Sequence, residues 1–428
     1  MSYNTESIKN SVEFLKSENN KHEYQMVKSG KNCYNYCKNQ LSNITHGSVT
    51  DFFINPLNNF SNYPFGSNDF YIDFAVPKFE YRFHQFLLSF TVTNNTETLC
   101  SIMPLPLIIR KISLLKNSNA LGNDVLDYDI LLFNLNKYKN ELKSDELGLL
   151  DMGLNNINQL VSIFLNPGAS SSATIELPIS LARTNWSANS IRNDLVIRIY
   201  FKYNIVYQGP PNNQIRLSNV VLATRVREMS NSAKQYLYSQ PKLNHLFNKR
   251  LLVQYNIPSL TLNNNYSINI AGFNNVAAAA LCWISIPDSN ITLGTSNDSL
   301  VWHLFNYYMD NVFITDGTGK NIINNNVFTQ NYNNYLLQNK FKRLYTYFRQ
   351  LTNSVLNKGE LFYLPLGADN ADPFLGDFEG GTSFRENDNF KFNFTSKSTL
   401  ASNCILNILF FVPALLDLHN GNITESYA

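Results

Sequence analysis

Between Leu195 and Tyr203 the chain reads Leu-Val-Ile-Arg-Ile-Tyr-Phe-Lys-Tyr. Leu195, Ile197, Ile199 and Phe201 fall on one side, and Val196, Arg198, Tyr200 and Lys202 on the other. A period of two is that of a strand with one buried face. A slip of one residue would drive Arg198 and Lys202 into the core, so the register is written into the segment. The same period returns at Phe86, Leu88, Phe90 and Val92, ending at Asn94-Asn95, and again at Phe390, Phe392 and Phe394. A chain with this pattern must build sheets with a dry side and a wet side.

Further strands are expected at Pro106–Lys116, Leu251–Tyr255, Tyr266–Ile270 and Val276–Ile286. The apolar run Cys404–Leu418 is too short for a spanning helix and holds Asn407, Pro413 and Asp417, so it reads as a buried final strand. Asn makes up roughly one residue in seven, far above ordinary usage. Its amide bonds its own backbone and tolerates left-handed angles, so Asn clusters between Tyr, Phe, Ile and Val runs read as turns joining strands.

Helical spacing interrupts the strands in four places. Ile8, Val12 and Leu15 mark a short N-terminal helix, followed by a polar arm to about His46. Val125–Met152 reads as an inserted helix, and Thr329–Leu351 as another. Val226–Gln240 switches to helical character before Pro241. A chain of 428 residues exceeds one ordinary core, so two domains of roughly 170–200 residues are expected. The division is an arm at 1–46, a first half at 47–225, a linker helix at 226–241 and a second half at 242–428.

Three segments carry a resemblance. Ile175-Glu176-Leu177-Pro178-Ile179, then Arg183, then Leu195–Phe201 is one. The second is a strand ending in Leu222, Arg225, Arg227 and Glu228, followed by a helix ending in Tyr236, Leu237 and Gln240. The third is Leu251–Ser259, with Asn256, Ile257 and Pro258 at its end; a Pro- and Gly-containing loop lies at Leu361–Arg385. In these the chain resembles the double jelly-roll major capsid proteins of large eukaryotic DNA viruses, adenovirus and membrane-containing tailless phages. It lacks the first Pro of the family's first motif. The resemblance implies an all-β fold with helical insertions, two consecutive eight-stranded jelly-roll β-sandwiches. It also implies a homotrimer with a pseudo-sixfold outline that assembles, with neighbouring capsomers and penton and minor capsid proteins, into an icosahedral virion shell. The helical insertions would build outer towers and trimer contacts, and the N-terminal arm could reach an internal membrane or minor proteins.

Composition agrees with such a subunit. Charged residues are only 15% and aromatics 13%, as suits walls that meet other walls, because interface cores disfavour charge and enrich aromatics. Net charge is +2 with no long basic run, which gives no footprint for sequence-specific nucleic-acid binding. Five scattered cysteines and no apolar leader in Met1–Lys16 suit synthesis in a host cell cytoplasm. The alternative is a carbohydrate-binding or carbohydrate-active β-sandwich protein, in which aromatic platforms and Asn amides would meet sugars.

No catalytic, cofactor-binding or metal-binding residues are assigned. Gly317-Thr318-Gly319-Lys320 has Asn321 where a phosphate loop needs Ser or Thr and Ile314 where it needs Gly, so it reads as a turn. Cys33 and Cys37 have no second Cys/His pair nearby. His22, His46, His84, His245, His303 and His419 form no metal-helix motif. Asp369, Asp372, Asp377 and Glu379 lack calcium-loop spacing and read as a solvated acidic loop.

Overall fold

The computed structural model describes residues 49–427, without 58–61, 67, 69, 137–150, 155–158, 160–161, 183, 185–187, most of 229–241, 286–307, 323–335, 337–360, 368–380, 385–388 and 402. The expected N-terminal helix and arm, the acidic loop, and all of the helix at 329–351 but Leu336 lie outside the described residues. Leu336 itself is helical and buried.

The first half supplies β1 (Val49–Ile54), β2 (Phe70–Ala75), β3 (Arg82–Asn94), β4 (Ile109–Lys116), β5 (Val125–Leu126), β6 (Ser170–Glu176), β7 (Leu195–Phe201) and β8 (Ile215–Arg227). They form two antiparallel sheets, β1–β8–β3–β6 and β2–β7–β4–β5. The first strand lies beside the last and the second beside the next to last, so the chain folds as a doubled ribbon rolled into a sandwich. This is jelly-roll order, which leaves only short free edges.

The second half supplies β9 (Lys242–Ile257), β10 (Asn265–Asn269), β11 (Ala279–Ser285), β12 (Met309–Thr315), β13 (Phe362–Pro365), β14 (Lys391–Ser396), β15 (Cys404–His419) and β16 (Asn422–Tyr427). Its sheets are β9–β15–β11–β13 and β10–β14–β12, with β16 added beside β15. Seven of these strands repeat the first half's order position for position. The counterpart of β5 would fall between Thr315 and Phe362, mostly outside the described residues. Among the described residues, every ladder stays within 49–227 or within 242–427.

The inner faces follow the sequence period. β7 alternates buried and half-buried along its whole length, and β3 buries Phe86, Leu88, Phe90 and Val92. Phe201 stacks on Phe70 at 5.3 Å and meets Phe90 edge-on at 6.0 Å, tying the two sheets together. In the second core Phe273 stacks on Phe410 at 3.9 Å, and Phe384 sits 4.6 Å from Phe390. Each such ring contributes about 1.5–3 kcal/mol by leaving water.

Four expected elements differ. Pro106–Lys116 opens with a helical turn, Leu105–Ile108, before β4 begins. Pro106 has a fixed φ and no N–H, which suits a first turn and not a ladder. Val125–Met152 is not one helix: β5 comes first, then α1 (Asp127–Asn136), while 137–150 lie outside the described residues. The expected linker helix starts later, because β8 runs on through Arg227; Asn231, Lys234 and Gln235 are helical. Cys404–Leu418 is the buried strand expected but not the final one, since β15 extends to His419 and turns into β16. Pro413 falls where the second neighbour of β15 changes from β11, ending at Phe411, to β16, starting at Ala414. A residue without an N–H is tolerated at such a switch.

Candidate assembly faces and the seam between the halves

The outward face of β9–β15–β11–β13 is covered. β11 is buried at all seven positions, and β15 along nearly its whole length, so both faces of this sheet are dry. The outward rows are set by register: Arg250–Phe411–Ala279–Pro365, Leu252–Leu409–Leu281–Tyr363, and Gln254–Asn407–Trp283. The cover comes from the first half. Tyr128 meets the Trp283 ring edge-on at 5.4 Å, and Arg250 lies over the Phe133 ring at 4.8 Å. Arg250 also donates to Asp129 at 2.6 Å and to the Pro178 carbonyl at 3.1 Å.

Helix α1 is the wedge. Every residue from Asp129 to Asn136 is buried, as befits a helix with apolar neighbours on all sides. The resemblance implies an insertion that builds outer towers and trimer contacts; the described part, Asp127–Asn136, lies in the seam. Asn134 fixes it to the first sandwich. Its amide donates to the Glu176 carbonyl at 2.9 Å and accepts from the Glu176 N–H at 3.0 Å. A side chain thus stands in for the missing strand beside β6, satisfying backbone groups that would be costly to bury unpaired.

The β15–β16 hairpin closes the other end of the seam. Asn420 and Gly421 both hold positive φ, 50° and 81°, as a two-residue turn of this hand requires. The Gly421 carbonyl accepts from the Arg192 N–H at 2.8 Å, and the Ile423 carbonyl from Lys116 at 3.0 Å. Asn193 accepts from the Ile423 N–H at 3.0 Å. Behind the hairpin, Lys249 pairs with Glu425 and donates to the Tyr427 hydroxyl. A Cβ at Gly122 would collide with the Glu425 carboxylate, so glycine there lets the two halves close.

Burial governs titration at this seam and along β9. Loss of water pushes Asp129 up to about 6 even against the pull of Arg250. The same loss takes His245 down to about 4 and lowers the Lys249 ammonium.

Among the described residues, the outward face of the matching first sheet, β1–β8–β3–β6, is half-buried to exposed along its hydroxyl rows. Three cross-strand hydroxyl pairs run along it: Ser89–Thr174 at 2.9 Å, Thr91–Ser172 at 2.8 Å and Thr93–Ser170 at 2.8 Å. Ser218 and Arg216 continue two of these rows. Beyond them lies the row Leu87–Ala223–Phe53, with Phe53 74% exposed. Arg225 then pairs with Asp51 at 2.9 and 3.2 Å. The outward side of the other first-half sheet is charged instead. There Arg198 grips Asp73 at 2.7 and 2.8 Å and lies over Tyr71, and Lys111 pairs with Asp124.

The residues weighed for chemistry come to little. Gly317–Lys320 is a turn: Asp316 accepts from the Thr318 N–H and hydroxyl and from the Lys320 N–H, and Gly319 has φ 83°. Cys33, Cys37, His22, His46, His303 and the acidic loop lie outside the described residues. Cys100, Cys282 and Cys404 are free and buried, and burial pushes each thiol up. Among the described residues, no group of three His, Cys, Asp or Glu is placed to hold a metal ion. No helix among them is long and apolar enough to cross a membrane. Sequence reasoning missed the seam hairpin. Asn420-Gly421 between apolar runs was the available signal, since that dipeptide is the strongest short hairpin marker.

No family model and no curated protein matches the sequence. Solved structures do. The PBCV-1 VP54 structure fitted into a reconstruction of the virophage Sputnik has a TM-score of 0.65 at 10% identity, covering 90% of this chain and 97% of its own. The PBCV-1 virus capsid quasi-atomic model has 0.64 at 11% identity with the same coverage. The Faustovirus major capsid protein has 0.60 at 10% identity, covering 88% of this chain and 91% of its own. The fold is a double jelly roll. At this identity the likeness is one of fold, and it spans 90% of the chain, both rolls included.

Proposed function

We propose that the chain is a structural major capsid protein of an icosahedral DNA virus. The observation that carries this is the match of nearly the whole chain, both rolls at once, to capsid subunits over nearly their whole length. A likeness confined to one β-sandwich would say little about role, because sandwiches serve many. Two rolls held in one rigid order by a buried seam suit a building block. In this reading 47–225 and 242–428 are the two rolls, 226–241 links them, and 1–46 is an arm facing minor proteins or an internal membrane. Three chains form a pseudo-hexameric capsomer, which meets neighbouring capsomers and penton proteins in the virion after assembly in the host cytoplasm. The role is structural, without catalysis.

The test is the mass of the purified protein by light scattering, followed by electron microscopy of concentrated samples. A species at three times 48.9 kDa with hexagonal outline is expected. A chain that remains at 48.9 kDa at every concentration and forms no ordered particles overturns the proposal.

A further inference from the structure

We propose that Lys249 and Glu425 condense into an amide bond, a covalent staple between β9 and β16 that the folded chain makes for itself. The register puts both side chains on one face of the sheet, on either side of β15. Lys249 Nζ touches Glu425 Oε1, and the two side chains are only 7% and 1% exposed. Tyr427 is held between them. Its hydroxyl accepts from Lys249 at 2.8 Å and from the Asn123 N–H at 3.0 Å, and donates to Glu425 Oε1 at 3.0 Å. Glu425 Oε2 is buried and has no hydrogen-bond partner among the described residues.

These are the parts a condensation needs: an amine, a carboxyl carbon, a donor on the oxygen that stays and an unheld oxygen that can leave. Burial lowers the Lys249 ammonium and so favours the nucleophilic amine. A proton passed along the Nζ–Oε1 contact turns the ion pair into amine and acid. The Nζ lone pair attacks Glu425 Cδ. The Nζ–Cδ bond forms, the Cδ–Oε2 bond breaks, and Oε2 departs as water with the carboxyl proton and one amine proton. Nothing is oxidised or reduced. The Tyr427 hydroxyl polarises Oε1, which remains as the amide carbonyl. The contact also removes the entropy cost of bringing the two groups together. Two buried charges, costly to keep from water, become one neutral amide. Neighbouring pairs lack one requirement each. Lys111 and Asp124 are both 31% exposed, so water holds their charges. Arg250–Asp129 is as dry, but a guanidinium stays protonated and is no nucleophile.

The test is intact-mass spectrometry of the denatured full chain, with peptide mapping, for wild type, Lys249→Met and Tyr427→Phe. Thermal melting before denaturation shows that each protein was folded. The expected wild type is lighter than its sequence by one water and yields a branched peptide joining Lys249 to Glu425. Lys249→Met keeps its full sequence mass, and freshly purified Tyr427→Phe, which retains the pair, shows a smaller linked fraction. Folded wild type that keeps its full sequence mass after prolonged incubation overturns the staple, as does a water loss that persists in Lys249→Met without a branched peptide in wild type. The branched peptide in wild type decides the matter even where a variant fails to fold. The capsid reading stands in either case.

Discussion

The sheets β1–β8–β3–β6 and β9–β15–β11–β13 have one topology and opposite surroundings. In the first, outward Ser, Thr, Gln and Arg are broken by the row Leu87–Ala223–Phe53, and β3 alternates. In the second, Ala279–Ser285 and Cys404–Leu418 are apolar almost without interruption. The difference shows that strand order does not decide a sheet's composition; the number of faces it buries does. An ion pair on each sheet shows the same contrast. Arg225–Asp51 keeps side chains 39% and 37% exposed, whereas Arg250–Asp129 leaves 8% and 2%.

If this contrast is right, substitutions on the outward faces of the two sheets should diverge. Arg250→Ala leaves Asp129 buried without its partner and should cost about 3–5 kcal/mol in denaturant unfolding at pH 8. The loss should shrink at pH 5, because Asp129, already pushed up to about 6, then takes a proton. Trp283→Ala should cost about 3–5 kcal/mol through its cavity, while Phe53→Ala on the first sheet should leave the melting of the isolated subunit within about 0.5 kcal/mol of wild type. Equal losses at the two aromatic sites would break the comparison.

His245 sharpens it through pH. Its folded value near 4 lies below the ordinary 6.5, so its contribution is complete above pH 6.5 and is lost as pH falls through 4. The drop is about 3 kcal/mol. Asp129 works in the other direction: raised to about 6, it contributes most below 3.8 and loses that as pH rises through 6. The stability difference between wild type and His245→Gln should therefore narrow steadily between pH 6.5 and 4, and a constant difference would remove His245 from the account. A smaller effect is expected for Asn134→Ala, about 1–3 kcal/mol, from the unpaired Glu176 backbone groups. The smallest is Arg225→Ala, within about 1 kcal/mol.

Much of this was readable beforehand where a residue's neighbours in sequence decide its place. Leu195–Phe201 and Phe86–Val92 announce their faces by period alone, and Cys404–Leu418 announced burial by having no polar face. The seam was not readable, because its partners are far apart: Arg250 and Asp129 are 121 residues distant, and Lys116 and Ile423 are 307. Helix α1 could be recognised as helical but not placed, since Asp129 and Asn134 look like solvent-facing residues until Arg250 and Glu176 are beside them. The hydroxyl ladder was equally hidden: Thr91 and Ser172 become a pair only once the register of β3 and β6 is known.

The doubly buried sheet carries a further consequence. Unfolded or alone, β15 is a sixteen-residue strand with a single charge before its last residue, rich in Leu, Ile and Phe, and such segments aggregate when exposed. The first roll is synthesised before it, so the surface that will shield it is already in place when it emerges. On this order of synthesis the second roll should depend on the first to stay in solution. Expressed separately, the first roll should stay soluble, whereas the second should precipitate.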